Sequence, residues 1–554
     1  MVSPLPIKSD LLTPLSALNN VHLGGRAYYT NLRNSNDPVL VVAAWCALLD
    51  GRLLSMSDWP QVLAQCGHAA VRRRAFDYLQ ELKEHKLALE VAETALSEPG
   101  DVQQRLMVAE AHRDAAEMAR LHGALYLETG DLKHLLSASE RAEEAGGWRP
   151  SLEWSLRFLA ASPLNASPVQ RLYVVLENAG KPELMQEVAE VLLARNLHLQ
   201  ICQIFLAHAA LLRGEPDRCL ARLRGLGDAV LLANPSLVDC LGPVRALRAA
   251  ALEKLGRYEE AYEAYRLLQD GERAKDIDPE EFVRRVRVRA QLDIPALPPD
   301  DFPVVTQMLG FPRSGTTLLE NTLAGHPKIE TFEEIPDLGT SIARIERVLL
   351  GKLPPEPAET TFVAARARYF EELDHYRRKP EATVLVDKMP IRSADAALIT
   401  KLFPEWRYIF SIRHPFDVVL SCFKQRFRPN AAMENFRTID GAIRLYDIVM
   451  TEWFKYHTLD DPNVCYVRYD ELVTDFDHVT KRVLDFLGVE WNESVRDFSS
   501  SAHSRAVKTP SYQKVRQGLS IGVQTQWKNY RFAFQSQSGK LLAKWAEFFG
   551  YPTE

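Results

Sequence analysis

Two glycines five residues apart, followed directly by hydroxyl side chains, stand in the segment MLGFPRSGTTLLENTLAGHPKIETFEEIP. Gly310 and Gly315 follow an extended run, FPVV, and precede a helical run, LLENTLAGH. A strand, a glycine turn and a helix in this order aim backbone N–H groups and a positive helix end at a phosphate. A nucleotide-binding P-loop would carry a lysine where Thr316 stands, and here the positive charge has moved to Arg313. With no acidic Walker B residue in the later strands, magnesium-assisted γ-phosphate transfer is disfavoured. A structural glycine turn is the alternative for such a loop taken alone.

A second candidate anion site follows another strand, in WRYIFSIRHPFDVVLSC. Arg413 ends an apolar strand, Pro415 stands where a helix begins, and Ser421 lies about two turns into that helix. Arg413 can form a fork on a phosphate, and Ser421 can donate its hydroxyl to the same group. Taken separately, Arg413 would be a surface residue that caps the strand end, and Ser421 a serine tolerated within a helix. Together with the glycine loop they indicate a nucleotide with phosphates at both ends of its ribose.

These segments resemble motifs of a known enzyme family. FPRSGTTLL is similar to the 5′-phosphosulfate loop, and IRHPFDVVLS to the 3′-phosphate motif, of sulfotransferases that use 3′-phosphoadenosine 5′-phosphosulfate (PAPS). The tyrosylprotein sulfotransferase branch is resembled more closely, through PRSGTTLLENTLAGHPKIETFEE, DKMP, LFP, RHPFDVVLS, VRYDELV and the terminal W…GY elements. The resemblance covers nearly all of residues 305 to 551, and similar domains occur in bacterial proteins joined to tetratricopeptide repeats.

The resemblance implies roles for nucleotide-binding residues. The backbone from Arg313 to Thr317 and the Arg313 side chain would hold the 5′-phosphosulfate, while Arg413 and Ser421 hold the 3′-phosphate. Tyr469, in VRYDELV, would lie near the adenosine, although a packed strand-end tyrosine is an equal alternative. Arg516, in SYQKVRQGLS, is a further candidate to reach the nucleotide or the acceptor. The nucleotide-binding candidates are therefore Arg313, Ser314, Gly315, Thr316, Thr317, Arg413, Ser421, Tyr469 and Arg516.

The resemblance also implies the catalytic groups. The tyrosylprotein branch uses a glutamate of a Glu-Glu pair as its base, and Glu334 of the pair Glu333-Glu334 matches it. A phenol with a pKa near 10 needs such a carboxylate to take its proton at neutral pH. Lys388, in DKMP, matches the lysine that stabilises charge on the oxygen bridging sulfur and phosphorus. Thr525, two residues before Trp527, stands where that branch has a catalytic serine. A solvated acidic pair and a strand-end lysine are the alternatives for Glu333-Glu334 and Lys388.

The first half of the chain is predicted to be helical. Residues 61–291 are rich in Ala, Leu, Glu and Arg with apolar residues at helical spacing. The segment RALRAAALEKLGRYEEAYEAYRLL predicts two helices joined at Gly256, and weaker versions surround Gly130, Gly180 and Gly214. This pattern resembles a degenerate tetratricopeptide repeat (TPR), an α-helical solenoid that would contact a polypeptide acceptor. A non-repetitive helical bundle is the alternative.

The second half is predicted to be a different, α/β domain. Prolines crowd residues 292–303, which we interpret as a linker. From residue 304 to 554 short β-branched or aromatic runs alternate with helices, which predicts a P-loop-like α/β domain with a central parallel sheet. Residues 1–60 are a segment of unclear role, expected to be a helical cap. The chain is thus expected to be multidomain.

Composition narrows the function classes. A net charge of -6 gives no signature of nucleic-acid binding, and seven scattered cysteines fit reduced thiols. The N-terminus lacks an uninterrupted apolar h-region, and the longest apolar run, VLVVAAWCALL, is too short to span a bilayer. We expect a cytoplasmic protein with no membrane partner and no metal. The expected activity is PAPS-dependent sulfation of a peptide or protein tyrosine. The alternatives are a small metabolite or carbohydrate hydroxyl as acceptor, or a non-catalytic nucleotide-sensing scaffold.

Overall fold

The computed structural model describes most of the chain in thirteen stretches or single positions. These are residues 33, 38–50, 54, 58–67, 69–82, 84–94, 102–272, 274, 276–291, 297, 301–334, 358–497 and 525–553. Arg516 lies outside the described residues, as do most of residues 1–60 and most of the predicted linker. The chain divides into two compact units, residues 1–145 with 149–161, and residues 146–148 with 162–554.

The helices of the first unit are short. They are α1 (Pro38–Asp50), α2 (Trp59–Gln65), α3 (Ala69–Leu82), α4 (His85–Glu93), α5 (Val102–Ala111), α6 (Ala115–Thr129), α7 (Lys133–Glu144) and α8 (Trp148–Ala161). Asp114 caps α6, because its carboxylate accepts the backbone N–H of Glu117 at 2.9 Å. Gly130 ends the same helix with a left-handed φ of 69°, which lets the chain turn into α7. The core of the first five helices gathers around Trp45, Trp59 and Phe76.

The second unit begins with helices of the same kind. They are α9 (Ala166–Ala179), α10 (Pro182–Ala194), α11 (Leu199–Leu212), α12 (Pro216–Leu223), α13 (Asp228–Leu232), α14 (Leu241–Lys254), α15 (Tyr258–Glu272) and α16 (Pro279–Ala290). Helix pairs α9/α10, α11/α12 and α14/α15 turn at Gly180, Gly214 and Gly256, each with positive φ. The predicted turns are confirmed, and so is a mostly helical region ahead of the sheet.

A five-stranded parallel sheet forms the centre of the second unit. Its strands are β1 (Val305–Gly310), β2 (Ile329–Glu333), β3 (Val384–Lys388), β4 (Arg407–Ile412) and β5 (Val464–Arg468), in the spatial order β2-β3-β1-β4-β5. Met308 of β1 pairs with Lys388 of β3, and Gly310 pairs with Ser411 of β4. The predicted parallel sheet is confirmed. Strand β2 was not predicted, because two glutamates among its five residues hide the apolar pattern.

Helices cover both faces of this sheet. They are α17 (Thr316–Ala324), α18 (Ala358–His375), α19 (Ala396–Leu402), α20 (Pro415–Phe423), α21 (Ile439–Trp453), α22 (Tyr469–Thr474), α23 (Phe476–Leu487) and α24 (Gly539–Phe548). On one face Met308 and Ile409 pack with α17, α22 and α23. On the other face Leu309 and Phe410 pack with α18 to α21 and α24. Burial of both faces explains why successive residues of β1 and β4, such as Met308-Leu309 and Ile409-Phe410, are apolar.

The last helices before the sheet belong to the same apolar core. Ala249 of α14, Tyr265 of α15 and Val286 of α16 are buried in one cluster with Leu309 and Phe410 of the sheet. The domain boundary at residues 292–303 stays a prediction, and the core continues across it. Among the helices that the structure describes, none has the length and apolar character needed to cross a membrane. All seven cysteines are buried free thiols.

Candidate functional site

The candidate site lies at the carboxyl ends of the central strands. Strands β1 and β4 are neighbours, yet the helix that follows β1, α17, covers one face and the helix that follows β4, α20, covers the other. Such a reversal opens a crevice beyond the carboxyl ends of the two strands, where open α/β sheets bind ligands. The glycine loop and Arg413, both predicted to bind the nucleotide, follow these two strands.

The loop after β1 has the backbone conformation of an anion nest. Arg313 has a φ of 73° and Gly315 a φ of 97°, with Ser314 between them. Alternation of this kind turns successive N–H groups toward one concavity. Helix α17 begins at Thr316, and the N–H groups of Thr316 and Thr317 precede its first hydrogen bond, which runs from the Leu318 N–H to the Gly315 carbonyl oxygen at 3.1 Å. Gly310 is required too, since a Cβ there would lie 2.8 Å from the Ser411 carbonyl oxygen.

Tyr469 lies against this loop. A Cβ added at Gly315 would stand 2.4 Å from Cδ2 of the Tyr469 ring, so the ring takes the space that a side chain would need. The Arg413 guanidinium is 5.0 Å from the centroid of the same ring, within range of a cation–π interaction. The structure therefore brings Tyr469, Gly315 and Arg413 together, although they come from the ends of three different strands.

Two arginines and a serine form a cationic cluster beside the loop. Arg413, which is buried, donates from Nη1 to the Arg313 carbonyl oxygen at 3.2 Å. The Nε of Arg313 donates to Ser421 Oγ at 3.1 Å, which ties the loop to α20. Burial is the main cause that lowers the pKa of Arg313 to about 10, and the positive charge of Arg413 acts in the same direction. Two neighbouring guanidinium groups that are largely removed from solvent repel each other, and an anion bound between them would offset that repulsion.

Lys388 and the Glu333-Glu334 pair meet at the ends of β3 and β2. The Lys388 Nζ donates to Glu333 Oε1 at 3.0 Å and to Glu334 Oε1 at 3.3 Å. Burial by itself would lower the pKa of Lys388, but the carboxylates of Glu333, Glu334 and Glu320 raise it above its usual value. The lysine is therefore held charged inside the protein, one strand away from the glycine loop.

The two glutamates differ in accessibility. The Glu333 side chain is only 7% exposed, whereas that of Glu334 is 42% exposed. Glu334 also has a left-handed φ of 51°, and its N–H donates to the Lys388 carbonyl oxygen at 2.8 Å. A non-glycine residue in this conformation stores strain, which is common at functional sites. The Glu334 carboxylate, and not that of Glu333, is thus accessible to an incoming molecule.

Thr525 lies directly before a segment that contacts the α20 region. Thr525 is exposed and precedes a 3-10 helix at Gln526–Phe534. The next residues contact α20, since the Trp527 N–H donates to Asp417 Oδ1 at 3.1 Å and Gln526 Oε1 accepts from Lys424 at 3.4 Å. These contacts bring the segment to the helix that carries Ser421. The catalytic role of Thr525 stays a prediction.

Three residues near the site were missed by the sequence analysis. The Ser393 hydroxyl lies between the carbonyl oxygens of Gly310, at 2.7 Å, and Pro390, at 2.9 Å, and so supports the start of the loop. Glu320, on α17, is fully buried and accepts from the Thr331 hydroxyl at 2.8 Å. Asp417, on α20, accepts a hydrogen bond from the Trp527 N–H. No local pattern marks these residues, because each contacts a partner from another element.

Comparisons with known proteins bear on this domain. Residues 306–493 match the profile described as the sulfotransferase family. An uncharacterized protein from Aquifex aeolicus (strain VF5) is 28% identical over 236 residues, which are 40% of this chain and 30% of that protein. The chain therefore spans less than a third of that relative's length.

Two solved structures to which this chain shows similarity are sulfotransferases. The sulfotransferase domain from the Synechococcus PCC 7002 olefin synthase has 22% identity and a TM-score of 0.36, over 46% of this chain and 98% of that one. Mouse sulfotransferase SULT7A1 complexed with PAP has 17% identity and a TM-score of 0.24, over 45% of this chain and 90% of that one. The profile match, which lies in residues 306–493, supports a transferase of sulfur-containing groups.

Proposed function

We propose that this chain transfers the sulfuryl group of PAPS to the hydroxyl of a tyrosine in a peptide or protein. One observation carries the proposal: the edge of the sheet holds a charged lysine next to an accessible carboxylate, beside a loop and a cationic cluster suited to two phosphates. Lys388 and Glu334 form the first part. Arg313, Ser421 and Arg413 form the second.

The order of the strands supports a nucleotide with phosphates at both ends of its ribose. The glycine loop follows β1, Lys388 ends β3 on one side, and Arg413 follows β4 on the other. Neighbouring strands lie about 4.8 Å apart, so the loop has one cation on each side at roughly one strand spacing. A 5′-phosphosulfate in the loop would have its bridging oxygen on the Lys388 side and its ribose 3′-phosphate on the Arg413 side.

The residues present fit such a ligand. The nest at Arg313 and Gly315 supplies N–H groups, and Gly310 and Gly315 have no side chains of their own that would narrow the loop. The Ser411 hydroxyl beside Gly310 is buried and makes no hydrogen bond within the described part of the chain, which leaves it available to a ligand. The Tyr469 ring offers a flat surface against the same loop for the adenosine.

Each catalytic residue then has a defined task. Glu334 accepts the proton of the acceptor hydroxyl, and the acceptor oxygen forms a bond to sulfur while the bond from sulfur to the phosphate oxygen breaks. Lys388 donates to that leaving oxygen and stabilises the charge that develops there. The products are the sulfate ester and adenosine 3′,5′-bisphosphate (PAP), and the proton stays on Glu334 until it is released to solvent. Thr525 and Arg516 are proposed to complete the site.

A polypeptide acceptor is supported by the helices that precede the sheet. The hairpins α9/α10, α11/α12 and α14/α15 repeat one structural unit, which we propose is a TPR-like solenoid. Solenoids present extended surfaces that bind other chains. The exposed carboxylate of Glu334 can be reached by a bulky acceptor, whereas Glu333 cannot.

Nucleotide binding tests the proposal directly. PAP and PAPS should raise the melting temperature far more than ATP with Mg²⁺, because only they place phosphates at both ends of one ribose. Arg413→Ala should weaken PAP binding by about 2 kcal/mol or more, since it removes a charge-assisted fork from a dianion. Arg407→Ala, at the opposite end of the same strand, is the matched control and should leave the Kd unchanged. Equal melting shifts for ATP and PAP, or an unchanged Kd in Arg413→Ala, would refute the proposal.

A further inference from the structure

Gln269, on α15 of the helical region, contacts the end of the helix that carries Ser421. Its side chain is fully buried, and its Nε2 donates to the carbonyl oxygens of Phe423 at 2.6 Å and Gln425 at 3.0 Å. Its Oε1 accepts from Arg437 Nη1 at 2.8 Å. Both amide hydrogens and the amide oxygen are therefore engaged, which fixes the orientation of the side chain.

Further buried contacts connect the α14/α15 hairpin to the region around the carboxyl end of α20. Arg437 pairs with Glu434 at 3.0 Å, and the other carboxylate oxygen of Glu434 accepts the N–H of Ala274, just beyond α15, at 3.3 Å. Lys424, the residue after α20, forms an ion pair with Glu253 of α14. Buried and partly buried polar groups of the helical hairpin α14/α15 thus fix the position of the carboxyl end of α20. Removing one of them leaves buried partners unsatisfied.

The carboxyl end of α20 is close to the cationic cluster of Arg313, Arg413 and Ser421. Helix α20 has nine residues, begins two residues after Arg413 and ends at Phe423, two residues after Ser421. A helix this short, about 13 Å long, moves as a rigid rod. A displacement at Phe423 is therefore passed to Ser421 with little loss, while the glycine loop is anchored separately by β1 and α17.

We propose that Gln269 is a positioning residue for the 3′-phosphate subsite formed by Arg413 and Ser421. Through Gln269 the helical region sets how well the sulfotransferase domain distinguishes a 3′-phosphorylated nucleotide from one that lacks this group. The inference rests on the proposed function, because it assumes that Arg413 and Ser421 bind the 3′-phosphate.

The ratio of two dissociation constants tests it in the full-length chain. Calorimetry with PAP and with adenosine 5′-monophosphate (AMP) isolates the 3′-phosphate, and the wild-type chain should prefer PAP on the order of a hundredfold. Gln269→Met removes the hydrogen bonds while keeping similar volume, and it should reduce that preference by about tenfold through misplacement of the subsite. AMP affinity should change little, which a general loss of structure would not allow.

A matched control comes from another contact between the same regions. Arg289 of α16 is buried and forms an ion pair with Asp395 on the β3 side of the sheet. Arg289→Gln should lower the melting temperature but leave the PAP/AMP preference at the wild-type value. If Gln269→Met does not fold, Gln269→Glu replaces it, because it keeps the Arg437 contact and removes only the donors to Phe423 and Gln425.

The outcomes separate this inference from the proposed function. A reduced preference in the Gln269 variant alone supports the positioning role. An unchanged preference in a folded Gln269 variant, or an equal reduction in Arg289→Gln, overturns it while the proposed function stands. A wild-type chain that binds PAP and AMP equally overturns both, since there would be no 3′-phosphate subsite to position.

Discussion

The neighbouring glutamates Glu333 and Glu334 should respond in opposite ways to the same substitution. Glu334→Gln removes the accessible carboxylate, which is 42% exposed, and keeps its shape. Loss of a general base lowers kcat by roughly a hundredfold or more, equivalent to about 2.7 kcal/mol in the activation free energy. The free energy of unfolding should change by less than about 1 kcal/mol, because a half-exposed ion pair contributes little. PAP affinity should stay at the wild-type value.

Glu333→Gln should act on stability first. The Glu333 carboxylate is buried and lies 3.0 Å from Nζ of Lys388, which is buried as well. Removing one partner of a buried ion pair leaves the other charge poorly compensated, and with Glu334 still in contact we expect a loss of about 2 kcal/mol in the free energy of unfolding. Turnover should fall less than in Glu334→Gln, because the base is still present.

The assay measures PAP release with PAPS and a tyrosine peptide or a small phenol, alongside urea unfolding of each variant. A chelator should leave all rates unchanged. The reasoning fails if Glu334→Gln retains kcat within about twofold of the wild type while Glu333→Gln abolishes it, since that result would make the buried carboxylate the base.

Three other perturbations follow from the same contacts. Gly315→Ala should abolish measurable PAP binding by calorimetry, because its Cβ would lie 2.4 Å from a tyrosine ring atom and its φ is 97°; wild-type affinity would show that the loop adapts. The raised pKa of Lys388 means that its contribution to stability is fully present below pH 10.5, its usual pKa, and is lost as pH rises through the higher folded value. Urea unfolding between neutral and strongly alkaline pH should therefore show Glu333→Gln losing stability at lower pH than the wild type, and coincident curves would contradict this. A chain beginning at residue 162 should fold and bind PAP, whereas one beginning at residue 295 should not fold cooperatively by near-UV circular dichroism, because it lacks the buried faces of α14 to α16; equal folding of both would show those helices are dispensable.

The sequence alone was sufficient to predict the local parts of the site. The glycine loop between β1 and α17, the start of α20 at Pro415, and helix turns such as that at Gly256 depend on residues within one or two turns of each other. Backbone conformation and helix ends are governed by such short-range sterics and capping. Strand β2 was missed because its stability comes from pairing with β3, which is distant in the chain, and not from its own acidic sequence.

Only the tertiary structure decided which distant groups meet. The strand order β2-β3-β1-β4-β5 brings Lys388 to Glu334 and Tyr469 to Gly315, and the packing of the helices brings Gln269 to the end of α20. No spacing along the chain encodes these pairs, because crossover connections of differing length determine which strand ends become neighbours. The sequence therefore determined which chemical groups this protein carries and how each is presented by its own turn or helix. Packing of the helices and strands determined that Glu334 is accessible while Glu333 is buried, because their burial depends on residues far from both in the chain.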